Sequence, residues 1–257
     1  MTKKIWIYWE QGWDKARNHN ITCLNSWIMR NPSWEVIILD KNKLKDYVDV
    51  FEINKDFWKI RPIQTRSDLI RTLLLKTYGG VWVDATLYCW DSLDNWLPDD
   101  DFFAFSYKAG RKKSSGCISS WFLASINDNY IINTFTEKYF SYFKNNLTAN
   151  HYFQFHRTFN AIYKTDHVFQ NQFKNMKFMP APRARLFKYK RKKIHNKNFK
   201  PSMLAELNFP VYKLSNKLKG RGRNYTKIFK YLKELNNPYS LSFLEMAEHK
   251  RSKKLEQ

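Results

Sequence analysis

Residues 67–86 read SDLIRTLLLKTYGGVWVDAT, and they carry the clearest structural signal of the sequence. Its first part is a mostly apolar run with charged residues near the start, which predicts an amphipathic helix. Gly79 and Gly80 tolerate the positive φ that ends a helix and turns the chain tightly. The β-branched and aromatic residues that follow predict a short strand ending at Asp84. The stretch therefore predicts a helix, a tight turn and a strand with a carboxylate at its end.

This arrangement gathers two acids and an arginine near one point. Asp68 and Arg71 are three residues apart and so lie on one helical face. We place Asp68 in the first turn of the helix, with Thr65 or Ser67 as its cap. Ligands of open α/β sheets bind at the carboxyl ends of strands, where Asp84 is expected. Each residue alone also fits a capped helix with a surface salt bridge, but the combination favours a ligand site.

The rest of the chain predicts an α/β protein. Short apolar or aromatic runs predict further strands at 5–8, 34–40, 102–105 and 120–124. Helical spacing around Cys23 and Trp27 predicts a helix that stops at Asn31, before a proline, and three helices follow between residues 129 and 173. We expect an α/β core over residues 1–125 and a helical extension over 126–257, together forming one compact unit.

Composition and length indicate a globular protein. The chain has 257 residues, of which 43% are hydrophobic and 18% aromatic, and this excludes a disordered protein. No stretch approaches the ~20 apolar residues of a membrane helix, and the N-terminus leads directly into a strand without a signal peptide. The three cysteines show neither a disulfide framework nor metal-binding spacing. We expect a cytoplasmic protein.

The charge balance predicts an anionic partner. The chain has 45 basic and 23 acidic residues, a net charge of +22, and the excess is concentrated in runs at 182–193 and 217–223. Either run alone is also explained as a solvated surface, but two runs favour binding to an anionic membrane, a lipid-diphosphate acceptor or nucleic acid. Interleaved aromatic residues, Phe187, Tyr189 and Phe199, suit a membrane interface and equally suit stacking on bases.

Segments 66–71 and 79–84 resemble the core signature of nucleotide-sugar glycosyltransferases with an Asp-X-Asp motif. This group includes yeast-type α-mannosyltransferases, glucosylating clostridial toxins and bacterial capsular polysaccharide synthesis proteins, and the chain resembles the capsular branch most. The run KIWIYWEQG at 4–12 is similar to that branch's start, and weaker matches lie at 120–122, 152–156 and 211–214. The resemblance covers roughly residues 3–215. It implies a GT-A type, Rossmann-like fold with a mixed sheet and a helical, basic C-terminal extension.

The resemblance also implies a reaction and roles for individual residues. A hexose would pass from a nucleoside-diphosphate sugar, a UDP-sugar, to a lipid-linked or polymeric surface polysaccharide, with retention, at the inner face of the membrane. Asp84 and Asp68 are the implied catalytic residues. The other implied donor-binding residues are Tyr8, Trp9, Arg66, Arg71, Gly79, Gly80 and Thr86. His156 and Lys213 are assigned to the acceptor or to a secondary role, although a core histidine is the alternative for His156.

One departure from the family pattern concerns the metal. The family pattern is Asp-X-Asp, but this chain reads Asp84-Ala85-Thr86 and so has a threonine in place of the second acid. A divalent cation, Mn²⁺ or Mg²⁺, would have Asp84 and Thr86 as its ligands, but a neutral hydroxyl is a weak ligand for a hard cation. Either Asp84 moves to the metal with help from Thr86, or basic side chains neutralise the diphosphate instead.

Two other classes of function compete with a transferase. A nucleic-acid-binding protein would use the basic runs to follow phosphates, but that leaves the segment from Asp68 to Asp84 unexplained, so nucleic acid is the less favoured partner. A scaffold that only binds acceptor is the third interpretation. Hydrolase and kinase functions lack support, because the sequence has no HExxH motif, no Walker loop and no order of Ser, His and Asp typical of a triad.

Overall fold

The protein is described by a computed structural model over residues 1–107, 118–149, 151–185 and 209–214. The chain divides into two compact units that alternate along the sequence. Unit 1 comprises Met1–Glu10, Ser33–Asp84 and Pro98–Ala181, and unit 2 comprises Gln11–Pro32, Ala85–Leu97 and the residues from Pro182 onward. The division expected at residue 125 stays a prediction.

Strands and helices alternate in the first part of the chain, whereas four helices follow one another after the sixth strand. The strands are β1 (Lys4–Tyr8), β2 (Glu35–Leu39), β3 (Gly80–Asp84), β4 (Leu87–Cys89), β5 (Phe102–Ser106), β6 (Ile118–Ser125) and β7 (Val211–Lys213). The helices are α1 (Asn18–Arg30), α2 (Ile63–Tyr78), α3 (Leu93–Trp96), α4 (Tyr130–Phe143), α5 (Gln154–Thr165), α6 (His167–Asn175) and α7 (Ala181–Ala184). Short 3₁₀ turns lie at Trp13–Lys15, Leu44–Asp46, Val50–Glu52 and Phe57–Lys59.

Unit 1 is built on a five-stranded mixed sheet with the order β2-β1-β3-β6-β5. The strands β2, β1 and β3 are parallel, whereas β6 runs antiparallel to both β3 and β5. The strand order reverses at β1, since β2 lies on one side of it and β3 on the other. Such a reversal is the place where open α/β sheets bind ligands, beyond the carboxyl ends of the strands. The strands predicted near residues 5, 34, 102 and 120 are all present.

Four helices of unit 1 contribute to its hydrophobic core together with residues of the sheet. The large side chains that are almost completely buried in this core include Trp6, Trp82, Phe57, Phe135, Tyr139, Phe143 and Phe155. Burying a large apolar side chain stabilises a protein by about 1.5–3 kcal/mol, so these aromatic residues are the main stabilising contacts of the core. The indole of Trp6 also donates a 2.8 Å hydrogen bond to the carbonyl of Gly79. This bond ties the first strand to the turn between α2 and β3.

Helix α2 begins earlier than the sequence predicts. Its N-cap is Pro62 and its first residue is Ile63, with no capping bond from a side chain. Thr65 and Ser67 therefore lie inside the helix, and Asp68 is its sixth residue rather than part of the first turn. The predicted cap was wrong because proline, which favours helix starts, marks the boundary instead of a hydroxyl residue. Asp68 thus faces the site from the second turn of the helix, not from its positive end.

The double-glycine turn is present as predicted. Gly79 has φ 65° and Gly80 has φ 92°, and the Gly79 amide closes the helix by donating to the Leu75 carbonyl at 2.9 Å. A Cβ atom on Gly80 would lie 2.6 Å from the carbonyl oxygen of Lys4. Glycine is needed there both for the positive φ and for the close approach of β1, so the turn fixes where β3 begins.

Unit 2 contains a small two-stranded antiparallel sheet, β4 with β7, that the sequence did not predict. Helix α1 holds β4 and the turn before it through hydrogen bonds from its polar side chains. Asn20 donates to the Ala85 carbonyl at 2.9 Å, and the Trp27 indole donates to the Leu87 carbonyl at 2.7 Å. Asn31, at the end of α1, accepts from the Leu93 amide at 2.7 Å. The helix predicted to end at Asn31 is confirmed.

The helical second half is present as far as the structure describes it. Helices α4, α5 and α6 match the three helices predicted between residues 129 and 173. The basic runs lie outside the described residues, except for their beginning at 182–185. Within the described ranges, no helix is both long enough and apolar enough to cross a membrane.

Candidate active site

Arg71 is the centre of a charge cluster in unit 1. Its guanidinium lies 3.2 Å from a carboxylate oxygen of Asp68 and 3.3 Å from one of Asp84. It also donates to the backbone carbonyl of Ser67 at 3.1 Å and to that of Ser120. Its side chain is only 5% exposed. These bonds hold the arginine in one orientation and place both predicted carboxylates around it.

Asp84 ends β3 beside the end of β1. In the parallel register it pairs with Tyr8, so the two residues lie side by side at the carboxyl edge of the sheet. The Trp82 indole donates to the Asp84 carboxylate at 3.1 Å, and Arg71 lies over the Trp82 ring at 5.0 Å from its centroid. A quarter of the Asp84 side chain, 25%, is exposed. The carboxylate is therefore oriented by two neighbours and remains within reach of a ligand hydroxyl.

The environment of Asp68 favours its protonated form. Burial raises the pKa of this carboxyl to about 6; repulsion from Asp84 adds to the rise, and the Arg71 charge opposes it. The pKa of the nearby Tyr139 phenol is also raised, first by burial and then by the Asp68 charge. Two carboxylates that share one arginine interact unfavourably when both are ionised. The Asp68 carboxyl therefore keeps its proton to a higher pH than a free carboxyl does.

A second buried arginine orders the loop after β1. Arg66 lies one helical turn before the Asp68–Arg71 pair and binds Glu10 with two nitrogens, at 2.9 and 2.5 Å. Its third nitrogen donates to the carbonyls of Trp58 and Ile60 at 3.1 and 2.7 Å. Burial and the Glu10 charge raise the pKa of the Tyr8 phenol, which stays protonated. Arg66 thus positions the segment from Tyr8 to Glu10 rather than presenting a charge to solvent.

In unit 2, the predicted residues Thr86 and Lys213 are in direct contact. The Lys213 ammonium donates to the Thr86 hydroxyl at 2.5 Å, and the Leu214 amide donates to the Thr86 carbonyl at 2.8 Å. Thr86 is buried, whereas Lys213 is partly exposed. The sequence placed both in the candidate site but did not predict that a lysine 127 residues away would bind this hydroxyl.

The remaining candidate residues from the sequence lie in other elements of unit 1. Trp9 directly follows β1, and its amide donates to the Leu39 carbonyl at 3.0 Å. Gly79 and Gly80 form the turn before β3 and shape the backbone. His156 lies in α5, where its ring meets those of Phe153 and Phe155 edge-to-face. His156 is partly exposed, so its acceptor role and the core alternative both stay predictions.

The side chains at the Asp-X-Asp position do not fit a divalent cation. The Asp84 carboxylate is already bonded to Arg71 and Trp82, and the hydroxyl of Thr86 is neutral and accepts from an ammonium group. Hard cations need several oxygen ligands, preferably charged, and an ammonium at a ligand atom opposes a second positive charge. Within the described ranges, no three His, Cys, Asp or Glu side chains are grouped to hold a metal ion.

Several contributors were missed by sequence reasoning. Glu10, the indole of Trp82 and the Ser120 carbonyl all fix the charged side chains of unit 1. Glu10 had a usable signal, because it follows the predicted first strand at the ligand-binding edge. No sequence signal points to the Ser120 carbonyl, since every residue has a backbone carbonyl.

Known proteins resemble this chain in both sequence and fold. The family described as capsular polysaccharide synthesis protein matches residues 1–232. Glycosyltransferase afumC of Aspergillus fumigatus is 26% identical over 143 residues, which cover 48% of this chain and 36% of that protein. O-glycosyltransferase braB of Annulohypoxylon truncatum is 27% identical over 112 residues, which cover 36% and 27% respectively. The chain therefore spans roughly a third of the length of these curated relatives.

A solved structure supports the fold. The apo form of the glycosyltransferase GlyE of Streptococcus pneumoniae TIGR4 matches with a TM-score of 0.51 and 11% identity, over 97% of this chain and 64% of that chain. Likeness at this identity shows the fold alone, and it confirms the α/β fold of the GT-A type. The family match spans most of the sequence and confirms the resemblance noted from segments 66–71 and 79–84. The chain belongs to the capsular polysaccharide synthesis protein family.

Proposed function

We propose that this protein is a glycosyltransferase that moves a hexose from a nucleoside-diphosphate sugar, a UDP-sugar, to a surface-polysaccharide acceptor. The acceptor is lipid-linked or polymeric, and the anomeric configuration is retained. The observation that carries this proposal is the cluster of Asp68, Arg71 and Asp84 at the carboxyl edge of β3. Carboxylates held in place by an arginine are suited to accept hydrogen bonds from sugar and ribose hydroxyls.

Asp84 and Asp68 have different tasks in this proposal. Asp84 is oriented by Arg71 and Trp82, and its exposed edge accepts hydroxyl groups of the donor sugar. Asp68 lies deeper, with 18% of its side chain exposed, and binds the sugar or the ribose from the helix side. Trp9 and Tyr8, at the end of β1, flank the place for the base. The fixed geometry lowers the entropic cost of aligning donor and acceptor.

The transfer exchanges one bond at the anomeric carbon for another. The bond to the diphosphate oxygen breaks, and its electron pair leaves with the diphosphate. The acceptor hydroxyl oxygen forms the new bond on the same face, and its proton passes to the departing phosphate oxygen. Negative charge therefore grows on the diphosphate, and positive groups that bind it there accelerate the reaction.

The acceptor side of the proposal depends on the basic C-terminal region. A net charge of +22 favours an anionic surface, and we propose that the basic runs hold the protein at the inner face of the cell membrane. A lipid-linked acceptor would be presented at the same surface. The basic runs lie outside the described residues except for 182–185, so this part rests on charge alone.

The test is a donor screen that measures release of the nucleoside diphosphate. The parent protein and Asp84→Asn are compared over UDP- and GDP-sugars, with an acceptor extract, in Mn²⁺ and in EDTA. We expect Asp84→Asn to lower turnover of the accepted donor at least about 100-fold, because the carboxylate contacts become stronger in the transition state. Asp128→Asn is the matched control, since Asp128 is exposed at φ 58° and asparagine tolerates that conformation.

Two results would contradict the proposal at different levels. Full turnover by Asp84→Asn with every accepted donor would show that the site assignment is wrong. No turnover of any donor by the folded parent protein would show that the activity is wrong, and acceptor binding without turnover would favour the scaffold alternative.

Thermal stability, rather than binding affinity, distinguishes the transferase from the nucleic-acid-binding alternative. Both functions give salt-dependent binding, since both place phosphates against basic side chains. A ligand that binds the native state raises the melting temperature by mass action. We expect UDP or GDP at sub-millimolar concentration to raise it, and a single-stranded oligonucleotide that raises it while both diphosphates do not would favour the alternative.

A further inference from the structure

The start of β6 holds two buried polar groups that have no role in the site as described above. The indole N–H of Trp121 and the hydroxyl of Ser119 belong to side chains that are 2% and 1% exposed. Among the residues that the structure describes, neither group has a hydrogen-bond partner. A buried polar group without a partner lowers stability and is rare in native proteins. Two such groups within three residues therefore point to a ligand that completes their hydrogen bonds.

Backbone contacts place both groups beside the charge cluster of unit 1. Ser120, which lies between Ser119 and Trp121, accepts a hydrogen bond from the Arg71 guanidinium through its carbonyl. The same guanidinium lies 3.3 Å from a carboxylate oxygen of Asp84. Ser120 and Asp84 are both partly exposed, so a ligand can reach this edge of the sheet.

The strand register leads to the same place. Strand β6 pairs with β3 in antiparallel register up to Phe122 opposite Val83, so Trp121 and Asp84 come next at the carboxyl end of β3. The Trp121 ring stacks on that of Phe105 in β5, with the centroids 5.0 Å apart and an angle of 21° between the planes. This stacking fixes the indole and with it the direction of its N–H. Trp121 is thus an oriented hydrogen-bond donor at the edge where Asp84 is an oriented acceptor.

A sugar hydroxyl matches this combination of groups. Each hydroxyl donates one hydrogen bond and accepts up to two, so it is satisfied by one acceptor and one donor of the protein. Asp84 supplies the acceptor, and the Trp121 indole supplies the donor. A phosphate is a poorer match, because the Asp84 carboxylate repels it and neither Trp121 nor Ser119 carries a positive charge.

We propose that the Trp121 indole and the Ser119 hydroxyl bind hydroxyl groups of the hexose in the nucleotide donor and thereby select the sugar. This proposal rests on the proposed function, because it assumes that a nucleotide sugar occupies the site of Asp84. A site that hydrogen-bonds a sugar hydroxyl rejects a donor without that hydroxyl, since the protein group is then left buried and unpaired. The nucleoside diphosphate alone gains nothing from these two contacts.

The experiment measures binding of UDP-glucose, UDP-galactose, GDP-mannose, UDP and GDP to the full chain by calorimetry, in Mn²⁺ and again in EDTA. Trp121→Phe removes the N–H and keeps an aromatic ring, and Ser119→Ala removes only the hydroxyl. For the nucleotide sugar that the parent protein binds best, each variant should lose about three- to tenfold in affinity, the effect of one hydrogen bond. Affinity for the corresponding diphosphate should change by less than about twofold.

Melting temperatures without ligand separate a binding role from a structural one. Trp6→Phe is the matched control for Trp121→Phe, since Trp6 is completely buried and its indole N–H donates to a backbone carbonyl at 2.8 Å. Ser125→Ala is the control for Ser119→Ala, because Ser125 is buried at the other end of β6 and its hydroxyl donates to a backbone carbonyl at 2.8 Å. Each control should lower the melting temperature at least about 2 °C more than its counterpart does, and should bind the nucleotide sugar as the parent does.

The outcomes distinguish this proposal from the function on which it rests. If Trp121→Phe and Ser119→Ala bind the nucleotide sugar as the parent does, or lose affinity equally for the diphosphate, the role in sugar binding is overturned and the transferase proposal stands. Melting temperatures lowered as far as in the controls would also overturn that role, because the two groups would then be bonded within the protein. If the folded parent protein binds no nucleotide sugar and no diphosphate, both proposals are overturned together.

Discussion

The two units hold their cationic side chains in different ways. In unit 1, the Arg71 guanidinium lies between two carboxylates and accounts for only one of their two negative charges. In unit 2, the Lys213 ammonium contacts the hydroxyl of Thr86, which carries no charge. The first arrangement is thus a group of three ionisable side chains, whereas the second joins a charged group to a neutral hydroxyl.

This difference predicts different responses to mutation. Replacing Arg71 leaves the two carboxylates without their buried counter-charge. Replacing Thr86 removes one hydrogen bond and leaves the ammonium group where water reaches it.

The largest expected effect follows from removing the shared arginine. Arg71→Met should lower the free energy of unfolding by about 3–5 kcal/mol, because Asp68 and Asp84 lose their buried counter-charge. Denaturant unfolding at pH 7 measures the change. The double variant Arg71→Met/Asp84→Asn should recover part of the loss, since only one carboxylate then remains. A double variant as unstable as the single one would show that packing of Arg71 on Trp82, rather than charge, explains the effect.

The pair of Arg66 and Glu10 is a second buried ion pair of unit 1, in which one arginine meets one carboxylate. Glu10→Gln should cost about 3 kcal/mol, since Arg66 is 4% exposed and keeps its charge without a charged partner. The matched control is Glu35→Gln, whose partner Lys4 lies at 3.6 Å on the surface and whose side chain is 61% exposed. That substitution should change stability by less than about 1 kcal/mol. Equal costs for the two variants would contradict a buried role for Glu10.

The core of unit 1 could be predicted from the sequence because its signals are local. The periodicity of α2, the two glycines and the apolar run of β3 lie within one stretch, so spacing alone places Asp68 near Arg71 and Asp84 at a strand end. The start of α2 was misplaced because Thr65 and Ser67 are good caps by type, and the signal of Pro62 was not used.

Unit 2 could not be predicted in the same way. The strands β4 and β7 have three residues each and are separated by more than a hundred residues, so no periodicity marks them or pairs them. The contact between Lys213 and Thr86 depends entirely on that pairing. The bond between Glu10 and Arg66 spans 56 residues and is hidden for the same reason, although each residue lies in a segment that sequence reasoning had selected.

The pKa of Asp68 tests how strongly burial, and to a smaller degree the charge of Asp84, opposes ionisation of this carboxyl. Its pKa is about 6 in the folded protein against 3.8 for the unperturbed group, so the folded state holds this proton more tightly. The stability that it contributes is fully present below about pH 4 and is lost as the pH rises through 6. A pKa difference of one corresponds to about 1.4 kcal/mol, so the free energy of unfolding falls by at most about 3 kcal/mol.

Asp68→Asn should remove this dependence. Relative to the parent protein, the variant should become more stable as the pH rises from 4 to 7, as measured by denaturant unfolding at each pH. Asp166→Asn is the control, because the Phe169 amide lowers the pKa of Asp166. The stability that its ionised form contributes is present above about pH 4 and is lost only at lower pH, so this variant should keep a nearly constant difference from the parent protein between pH 4 and 7. A constant difference between Asp68→Asn and the parent protein over this range would show that Asp68 ionises normally.

A substitution in unit 2 should change the free energy of unfolding least. Thr86→Val should lower the free energy of unfolding by only about 1 kcal/mol, the typical contribution of one hydrogen bond, because Lys213 is partly exposed and can be hydrated instead. Thr72→Val is the matched control, since Thr72 is completely buried in α2 and its hydroxyl donates to the Leu69 carbonyl at 2.9 Å. If Thr86→Val costs several kcal/mol more than Thr72→Val, the ammonium depends on the hydroxyl for its solvation. Loss of a partner group would then be as costly in unit 2 as in unit 1, and the difference between the two units would not hold.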